Sequence, residues 1–152
     1  MPRVYIRNLK VIEAIIQKAQ ICHLAMTDGD RPYVIPMYFG YDNRTLYFHS
    51  GKKGTKIEIV KKNPTVSFAL ETDVELIRAE AACGFTARFR SVAGFGRASI
   101  IEDREEKKEA LSIIMRQYSD GSFTFPEDKV EIVAIIKLTI IEMTARVHGY
   151  DE

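Results

Sequence analysis

The order of sequence patterns along the chain predicts a mainly β (α+β) fold, an antiparallel barrel flanked by a few helices. Strand-like segments follow one another directly, and short hairpin turns join three of them before the second helix begins. A doubly wound parallel sheet would need a helix after nearly every strand, so we reject that fold. With 152 residues, 46% of them hydrophobic and 28% charged, we expect one globular domain over residues 1–152.

The first helix and the first three strands are predicted from the spacing of apolar residues. One helical face is apolar over residues 8–20. Strict alternation indicates a strand over 22–28, and a hairpin turn connects it to an apolar strand over 32–42. Pro36 interrupts this second strand. Because proline lacks an amide donor, it marks an edge, a bulge or a ligand-facing position. The third strand is predicted over 45–50.

A short helix is predicted over residues 55–62. Thr55 and Glu58 have the spacing of a capping box, which makes Thr55 the expected N-cap and Lys56 the first helical residue. The Asn-Pro pair that follows ends the helix, because a residue before proline avoids the helical conformation. The next strand is predicted over 65–71.

The rest of the chain is predicted to contain two long strands separated by one helix. Residues 72–86 are interpreted as an irregular crossover or a short strand. A long strand is predicted over 87–103, and its Gly94 and Gly96 indicate a bulge or a bend. The remaining segments are a helix over 104–118, a loop over 119–129 and a strongly apolar strand over 130–147.

Charge and composition limit the partners that we expect. The net charge of +1 creates no overall field for nucleic acid or for an anionic membrane. The longest apolar run is far shorter than the roughly 20 residues of a membrane span, and the N-terminus carries charges where a signal peptide is apolar. We therefore expect a cytoplasmic protein without a nucleic-acid or membrane partner. The apolar residues of 32–42 and 130–147 exceed the needs of a small barrel, which predicts a homodimer interface.

The cysteines and histidines predict no metal site. Cys22 and Cys83 match no CxxC pattern, and we interpret both as reduced thiols in or near the core, with a disulfide as the alternative. The three histidines lack the spacing of metal ligands. Neither G-x-S-x-G nor a dinucleotide-binding fingerprint occurs in the chain.

The stretch LYFHSGKKGTKIE, residues 46–58, has the residue types of a phosphate site. Ser50 offers a hydroxyl, and Gly51 and Gly54 let backbone N–H groups come close to an anion. Lys56 is expected in the first turn of a helix, where free N–H groups favour negative charge. The alternative is a solvated turn whose lysines keep a strand edge soluble. The residues alone leave both interpretations open.

His49 ends a predicted strand beside this stretch. A neutral imidazole at that position can hydrogen-bond a cofactor or a substrate. The alternative is a half-exposed polar residue without a role in binding.

Taken together, these segments resemble the flavin-binding split β-barrel proteins related to pyridoxamine 5′-phosphate oxidase, and in particular the branch with the nitroimidazole-resistance (Nim) proteins. The resemblance covers roughly residues 10 to 145. The segments that carry it are CHLAMTDGDRPYVIPMYFGYD (22–42), LYFHSGKKGTKIE (46–58), NPTVSFAL (63–70), CGFTARFRSVAGFGRASIIED (83–103) and EEKKEALSIIMRQY (105–118).

The resemblance implies a six-stranded antiparallel split barrel that forms a homodimer with flavin at the interface. The flavin is FMN in most such proteins and FAD in some, and a few relatives bind haem. The residues that the resemblance places along the isoalloxazine ring are Val34, Ile35, Pro36, Met37 and Tyr38. Those that it places at the phosphate are His49, Ser50, Gly51, Thr55 and Lys56. Ser91 is implied to lie near the site or in the wall that the partner chain provides.

For activity, the resemblance implies an FMN-dependent oxidoreductase that passes electrons to a small electrophile such as a nitroaromatic compound. His49 is the candidate catalytic residue near the substrate or the flavin edge. A non-catalytic flavin- or haem-binding protein of the same fold is the alternative. Oxidation of pyridoxamine phosphate is not expected, because the chain lacks Trp and the arginine-rich signature of the oxidases proper.

Overall fold

A computed structural model describes residues 3–151 of the chain. The elements are β1 (Arg3–Ile6), α1 (Leu9–Lys18), β2 (Cys22–Asp28), β3 (Arg31–Met37), β4 (Gly40–Asp42), β5 (Thr45–Gly51), α2 (Thr55–Lys62), β6 (Thr65–Ile77), β7 (Thr86–Ile101), α3 (Arg104–Tyr118), α4 (Glu127–Glu131) and β8 (Val133–His148), with a 3₁₀ turn at Ala82–Gly84. Residues 1, 2 and 152 of the expected domain lie outside the described residues, and the extent of that domain stays a prediction.

The strands form one antiparallel sheet in the order β3-β2-β6-β7-β8-β5-β4, and β1 pairs with β8. The prediction of a mainly β, antiparallel fold is therefore confirmed. The described residues contain eight strands instead of the expected six. One addition is β1, which the sequence patterns did not indicate. The other arises because the predicted strand 32–42 is divided into β3 and β4: between them, the Phe39 N–H donates to the Tyr118 hydroxyl, at 2.8 Å, instead of to a strand.

Two further segments differ from the predictions. β6 extends beyond the predicted end at residue 71 to Ile77, into the segment interpreted as an irregular crossover or a short strand, and a bulge between Thr72 and Glu75 accommodates this extension. Helix α4 lies where a loop and the start of a strand were predicted. A contact from far along the chain stabilises this segment: the buried Lys107 Nζ donates to the carbonyls of Val130 and Val133, at 2.9 and 2.8 Å.

The pairing is irregular at Gly94 and Gly96, where a bulge or a bend was predicted, but the extra residue, Ile141, belongs to β8. The register between β7 and β8 shifts between Phe95 and Gly96. A Cβ atom on Gly94 would lie 2.2 Å from the Glu142 carbonyl oxygen, and one on Gly96 would lie 2.0 Å from that of Thr139. The two strands therefore approach each other more closely than side chains at these positions would permit.

The main core lies inside the curved sheet and is closed by α1 and α2. A smaller buried cluster, Ile101, Ala110, Ile114 and Ile135, lies beneath α3. β8 therefore has apolar residues on both faces because both faces are covered within this chain: Ile136 faces the main core and Ile135 faces α3. The expectation that the apolar excess of 130–147 serves a dimer interface stays a prediction, and Ile132 and Ile141 of this segment are exposed by 61% and 55%.

The cysteines are both free, but only one lies in the core. Cys22 is fully buried, and burial, followed by the charge of Glu71, raises the pKa of its thiol. Cys83 is exposed, contrary to the expectation that it lies in or near the core. Within residues 3–151, no helix combines the length and the apolar character needed to cross a membrane.

Candidate functional site

The candidate site is a cleft of about 500 Å³ between two open strand edges. In the described part of the chain, β3 pairs only with β2. β4 covers β5 over Thr45–Tyr47, and beyond that point β5 pairs on one side only, with β8. The side chains that line the cleft are Ile21, Tyr33, Ile35, Pro36, Met37, Tyr38, His49 and Lys56. The volume is in the range of small-molecule and cofactor sites.

Six residues expected at a flavin site meet in this cleft, although they come from three separate elements. They are Ile35, Pro36, Met37, Tyr38, His49 and Lys56. Pro36 lies on the edge strand β3, where a missing amide donor breaks no interior ladder. The walls are mostly apolar, and Lys56 is the charged residue among the lining side chains.

The other predicted residues lie outside the cleft lining. Val34 points away from the core on β3 and is 64% exposed. Gly51 and Thr55 are exposed at the two ends of the loop between β5 and α2. Ser91 lies on β7, which is two strands from β2 and three from β3, and its hydroxyl donates to the Arg146 carbonyl at 3.3 Å. Whether Ser91 faces a partner chain stays a prediction.

Two lining residues were missed. Tyr33 lies on the same face of β3 as Ile35 and Met37, so the period-2 alternation of a strand could have identified it. Ile21 lies between α1 and β2, and no sequence pattern marks this position as part of a site.

His49 is held in the cleft by an aromatic contact. Its ring makes an edge-on contact with Tyr38, with 4.7 Å between centroids and 68° between planes. Burial, and to a lesser degree the charge of Lys56, hold the pKa of His49 below its ordinary value of 6.5. The imidazole is therefore neutral at pH 7, with one ring nitrogen as a donor and the other as an acceptor.

The N-terminus of α2 differs from the predicted capping box. The N-cap is Gly54, and Thr55 is the first helical residue, so the assignment of Thr55 as N-cap is wrong. Gly54 has φ 133°, a conformation suited to glycine, and it provides no side-chain cap. The first-turn N–H groups of α2 therefore have no side-chain acceptor, and the positive end of the helix dipole lies next to Lys56.

Ser50 is a second unsatisfied donor; it precedes Thr55 by five residues in the chain and is not among the residues that line the cleft. It is the last but one residue of β5, it is only 5% exposed, and its hydroxyl has no hydrogen-bond partner among the described residues. Buried polar groups in native proteins are nearly always paired, so an orphan hydroxyl indicates a missing partner. An uncapped helix end, a lysine and a free hydroxyl suit a phosphate, and the apolar walls suit a planar ring. The residues present therefore fit a flavin phosphate ester. In residues 3–151, by contrast, no cluster of three or more His, Cys, Asp or Glu could hold a metal ion.

A barrel opened between two strand edges, with an apolar cleft that ends at a basic loop, defines a split-barrel protein with a ligand cleft. A family model described as pyridoxamine 5′-phosphate oxidase matches residues 9–147. The chain belongs to the pyridoxamine 5′-phosphate oxidase family. Comparison with curated proteins gives no significant match.

Solved structures support the same assignment. A candidate 5-nitroimidazole antibiotic resistance protein from Bacteroides thetaiotaomicron is 37% identical, with a TM-score of 0.84 over 96% of this chain and 87% of that chain. The flavocytochrome Anf3 from Azotobacter vinelandii is 22% identical, with a TM-score of 0.82 over 97% and 72%. The FAD- and haem-binding protein from Mycobacterium smegmatis is 13% identical, with a TM-score of 0.84 over 97% and 76%. The likeness to the first structure supports the Nim-like branch, and the other two show the shared fold.

Proposed function

We propose that this protein is an FMN-dependent oxidoreductase that reduces small electrophiles, including nitroaromatic compounds such as nitroimidazoles. The observation that carries the proposal is the cleft between β3 and β5, which unites apolar, ring-sized walls with Lys56 and a neutral His49. The 37% identity to a candidate 5-nitroimidazole antibiotic resistance protein supports the substrate class. A bound flavin supplies the redox chemistry, and the protein supplies binding, orientation and electrostatics.

The two ends of the cleft have different roles in this proposal. Ile35, Met37 and Tyr38 contact the ring system and exclude water from it. Lys56, the free N–H groups at the start of α2 and the Ser50 hydroxyl bind the phosphate. Charge-assisted hydrogen bonds of this kind are about twice as strong as neutral ones. The site as described has donors for one phosphate ester, which is why we propose FMN before FAD.

His49 is proposed to contact the substrate. Its ring lines the cleft and is oriented by Tyr38, and as a neutral group it can either donate or accept a hydrogen bond. Like the other residues of the cleft, it is not required to form a covalent bond with the substrate. Its expected contribution is to orient a polar group such as a nitro oxygen.

A homodimer with the flavin between the two copies is part of the proposal. Two apolar side chains that line the cleft are exposed, Ile21 by 41% and Tyr38 by 47%, and Val34, which points outward from β3, is exposed by 64%. Such apolar patches are typical of association surfaces. Light scattering of the purified protein should give twice the chain mass of 17.3 kDa, and a monomer that still binds FMN would contradict this part.

Absorption and reduction assays test the main proposal. The purified protein should retain or bind FMN at micromolar concentration, with a visible flavin spectrum. With NADH, NADPH or a reduced protein as donor, it should reduce a nitroimidazole, and His49→Ala should lower kcat more than the affinity for FMN. Absence of flavin binding at micromolar levels would refute the proposal.

A binding protein without turnover is the second candidate. His49 is the histidine that lines the cleft, since His23 pairs with Glu71 and His148 bonds the Ala87 carbonyl. It is therefore the available axial ligand for a haem. A Soret band that disappears in His49→Ala, without donor-dependent reduction of any electrophile, would favour this candidate.

A further inference from the structure

We infer that Tyr118 is a positioning residue for the cleft, at the far end of α3 and outside the cleft lining. Its hydroxyl joins the two chain segments that form one rim of the cleft, and its ring supports Tyr38, which in turn orients His49. The inference rests on the proposed function in so far as the cleft holds a flavin.

The hydrogen bonds of Tyr118 connect positions next to two lining residues. The hydroxyl accepts the Phe39 N–H at 2.8 Å and donates to the Gln20 carbonyl at 2.8 Å. Gln20 precedes Ile21, and Phe39 follows Tyr38; Ile21 and Tyr38 both line the cleft. One hydroxyl therefore joins the two segments just beyond the last pair of the β2–β3 ladder, Cys22 and Met37.

Both segments lie outside the strand ladders. Residues 38 and 39 lie between β3 and β4, and residues 19–21 lie between α1 and β2, so both backbones lack ladder partners there. Phe39 is fully buried, which makes an unpaired amide at that position costly. Tyr118 supplies the acceptor for this amide from 79 residues further along the chain.

The ring of Tyr118 packs against Tyr38, which lines the cleft. Its centroid lies 6.0 Å from that of Tyr38, edge-on at 75°, and Tyr38 lies 4.7 Å from His49. Aromatic pairs at these separations have a preferred mutual orientation. A displaced Tyr118 would therefore free Tyr38, and with it the orientation of the imidazole.

Gln117, the residue before Tyr118, also holds the end of α3 against neighbouring parts of the chain. The Gln117 amide donates to the carbonyls of Ile16, Gln17 and Ala19, at 2.8, 3.2 and 3.0 Å, and so satisfies the C-terminal carbonyls of α1. The last turn of α3 therefore holds the end of α1 as well as the rim of the cleft.

Tyr118→Phe tests the inference, and Tyr41→Phe is a matched control. Tyr41 also uses one hydroxyl to join two segments, donating to Glu13 at 2.7 Å and accepting the Arg44 N–H at 3.1 Å, but it does not line the cleft. Both variants should lower Tm by a similar amount. Tyr118→Phe should weaken lumiflavin and FMN binding equally, by about tenfold, whereas Tyr41→Phe should leave both affinities unchanged.

A second readout does not depend on flavin. The chain has three histidines, so their ring protons can be followed by NMR and assigned with His23 and His148 variants. In the ligand-free protein, Tyr118→Phe should move the His49 resonance toward its unfolded position, because the ring-current shift from Tyr38 is reduced, and Tyr41→Phe should not. The Phe39 amide of the unmodified protein should also be protected from hydrogen exchange.

The outcomes separate the inference from the proposed function. If the unmodified protein binds no flavin but the His49 resonance responds as expected, the proposed function fails and the positioning role stands. If Tyr118→Phe and Tyr41→Phe give the same His49 resonance and the same flavin affinities, the positioning role is refuted. Rapid exchange of the Phe39 amide would refute it without any variant.

Discussion

Replacing Lys56 by alanine is the most direct way to distinguish the proposed phosphate end of the cleft from the end that contacts the ring system. Lys56 is the charged residue among those lining the cleft, and it lies in the uncapped first turn of α2. A hydrogen bond to a charged group contributes about 1.5–3 kcal/mol, so Lys56→Ala should weaken FMN binding roughly 10- to 150-fold. Lumiflavin has the same ring system but no phosphate, and its affinity should change less than about twofold.

The assay is a fluorescence titration of each flavin at low and at moderate salt. Lys61→Ala is the matched control, because Lys61 is an exposed lysine on the same helix, in its last turn. The loss for FMN in Lys56→Ala should become smaller as salt rises, since screening already weakens the removed interaction. Equal losses for FMN and lumiflavin, or an equal loss in Lys61→Ala, would falsify the assignment of Lys56 to the phosphate.

Three further predictions concern stability, each measured by urea unfolding. Gly96→Ala should destabilise the protein by about 1–3 kcal/mol, because the new Cβ would lie 2.0 Å from a β8 carbonyl oxygen. Gly51→Ala should cost less, because a Cβ on Gly51 would approach nothing closer than 3.7 Å. Equal losses of stability in the two variants would contradict this prediction. Lys107→Met should cost at least ~2 kcal/mol of stability, because it leaves the carbonyls of Val130 and Val133 unpaired. Lys108→Met should change stability little, because the ion pairs of Lys108 are exposed. A larger loss in Lys108→Met than in Lys107→Met would contradict the stabilising role of Lys107. The pKa of His49 is lowered in the folded protein, so below about pH 6.5 the unfolded state binds more protons at this site, and the free energy of unfolding decreases as the pH falls. His49→Asn should reduce this pH dependence between pH 7.5 and 5.5. An unchanged slope in the variant would contradict the prediction.

Much of the fold could be predicted because its signals are local. Alternation of apolar residues marked β2 and β5, and helical periodicity gave α3 its observed bounds. The paired glycines of β7 indicated the bulge, because only a residue without a side chain permits that approach of β8. These features depend on neighbours within a few positions of one another.

Two of the errors involve long-range contacts. Tyr118 bonds the segment between β3 and β4, and Lys107 bonds the Val130 carbonyl of α4, in both cases from a distant part of the chain. The N-cap of α2 was misassigned because Thr55 and Glu58 have the spacing of a capping box, whereas the N-cap in the structure is Gly54. Within the site, the residues drawn from β3 and β5 could be grouped by resemblance, and strand alternation could have added Tyr33, but Ile21 required the folded barrel.

The gap between β3 and β5 also has a consequence for solubility. Strand edges with unpaired amide and carbonyl groups are templates on which a foreign strand can add, and proteins discourage such addition with proline and lysine. Pro36 removes one donor from the edge of β3, and Lys56 brings a charge to the opposite side of the gap. Pro36 and Lys56, which both line the cleft, are therefore also suited to protect the open strand edges against aggregation.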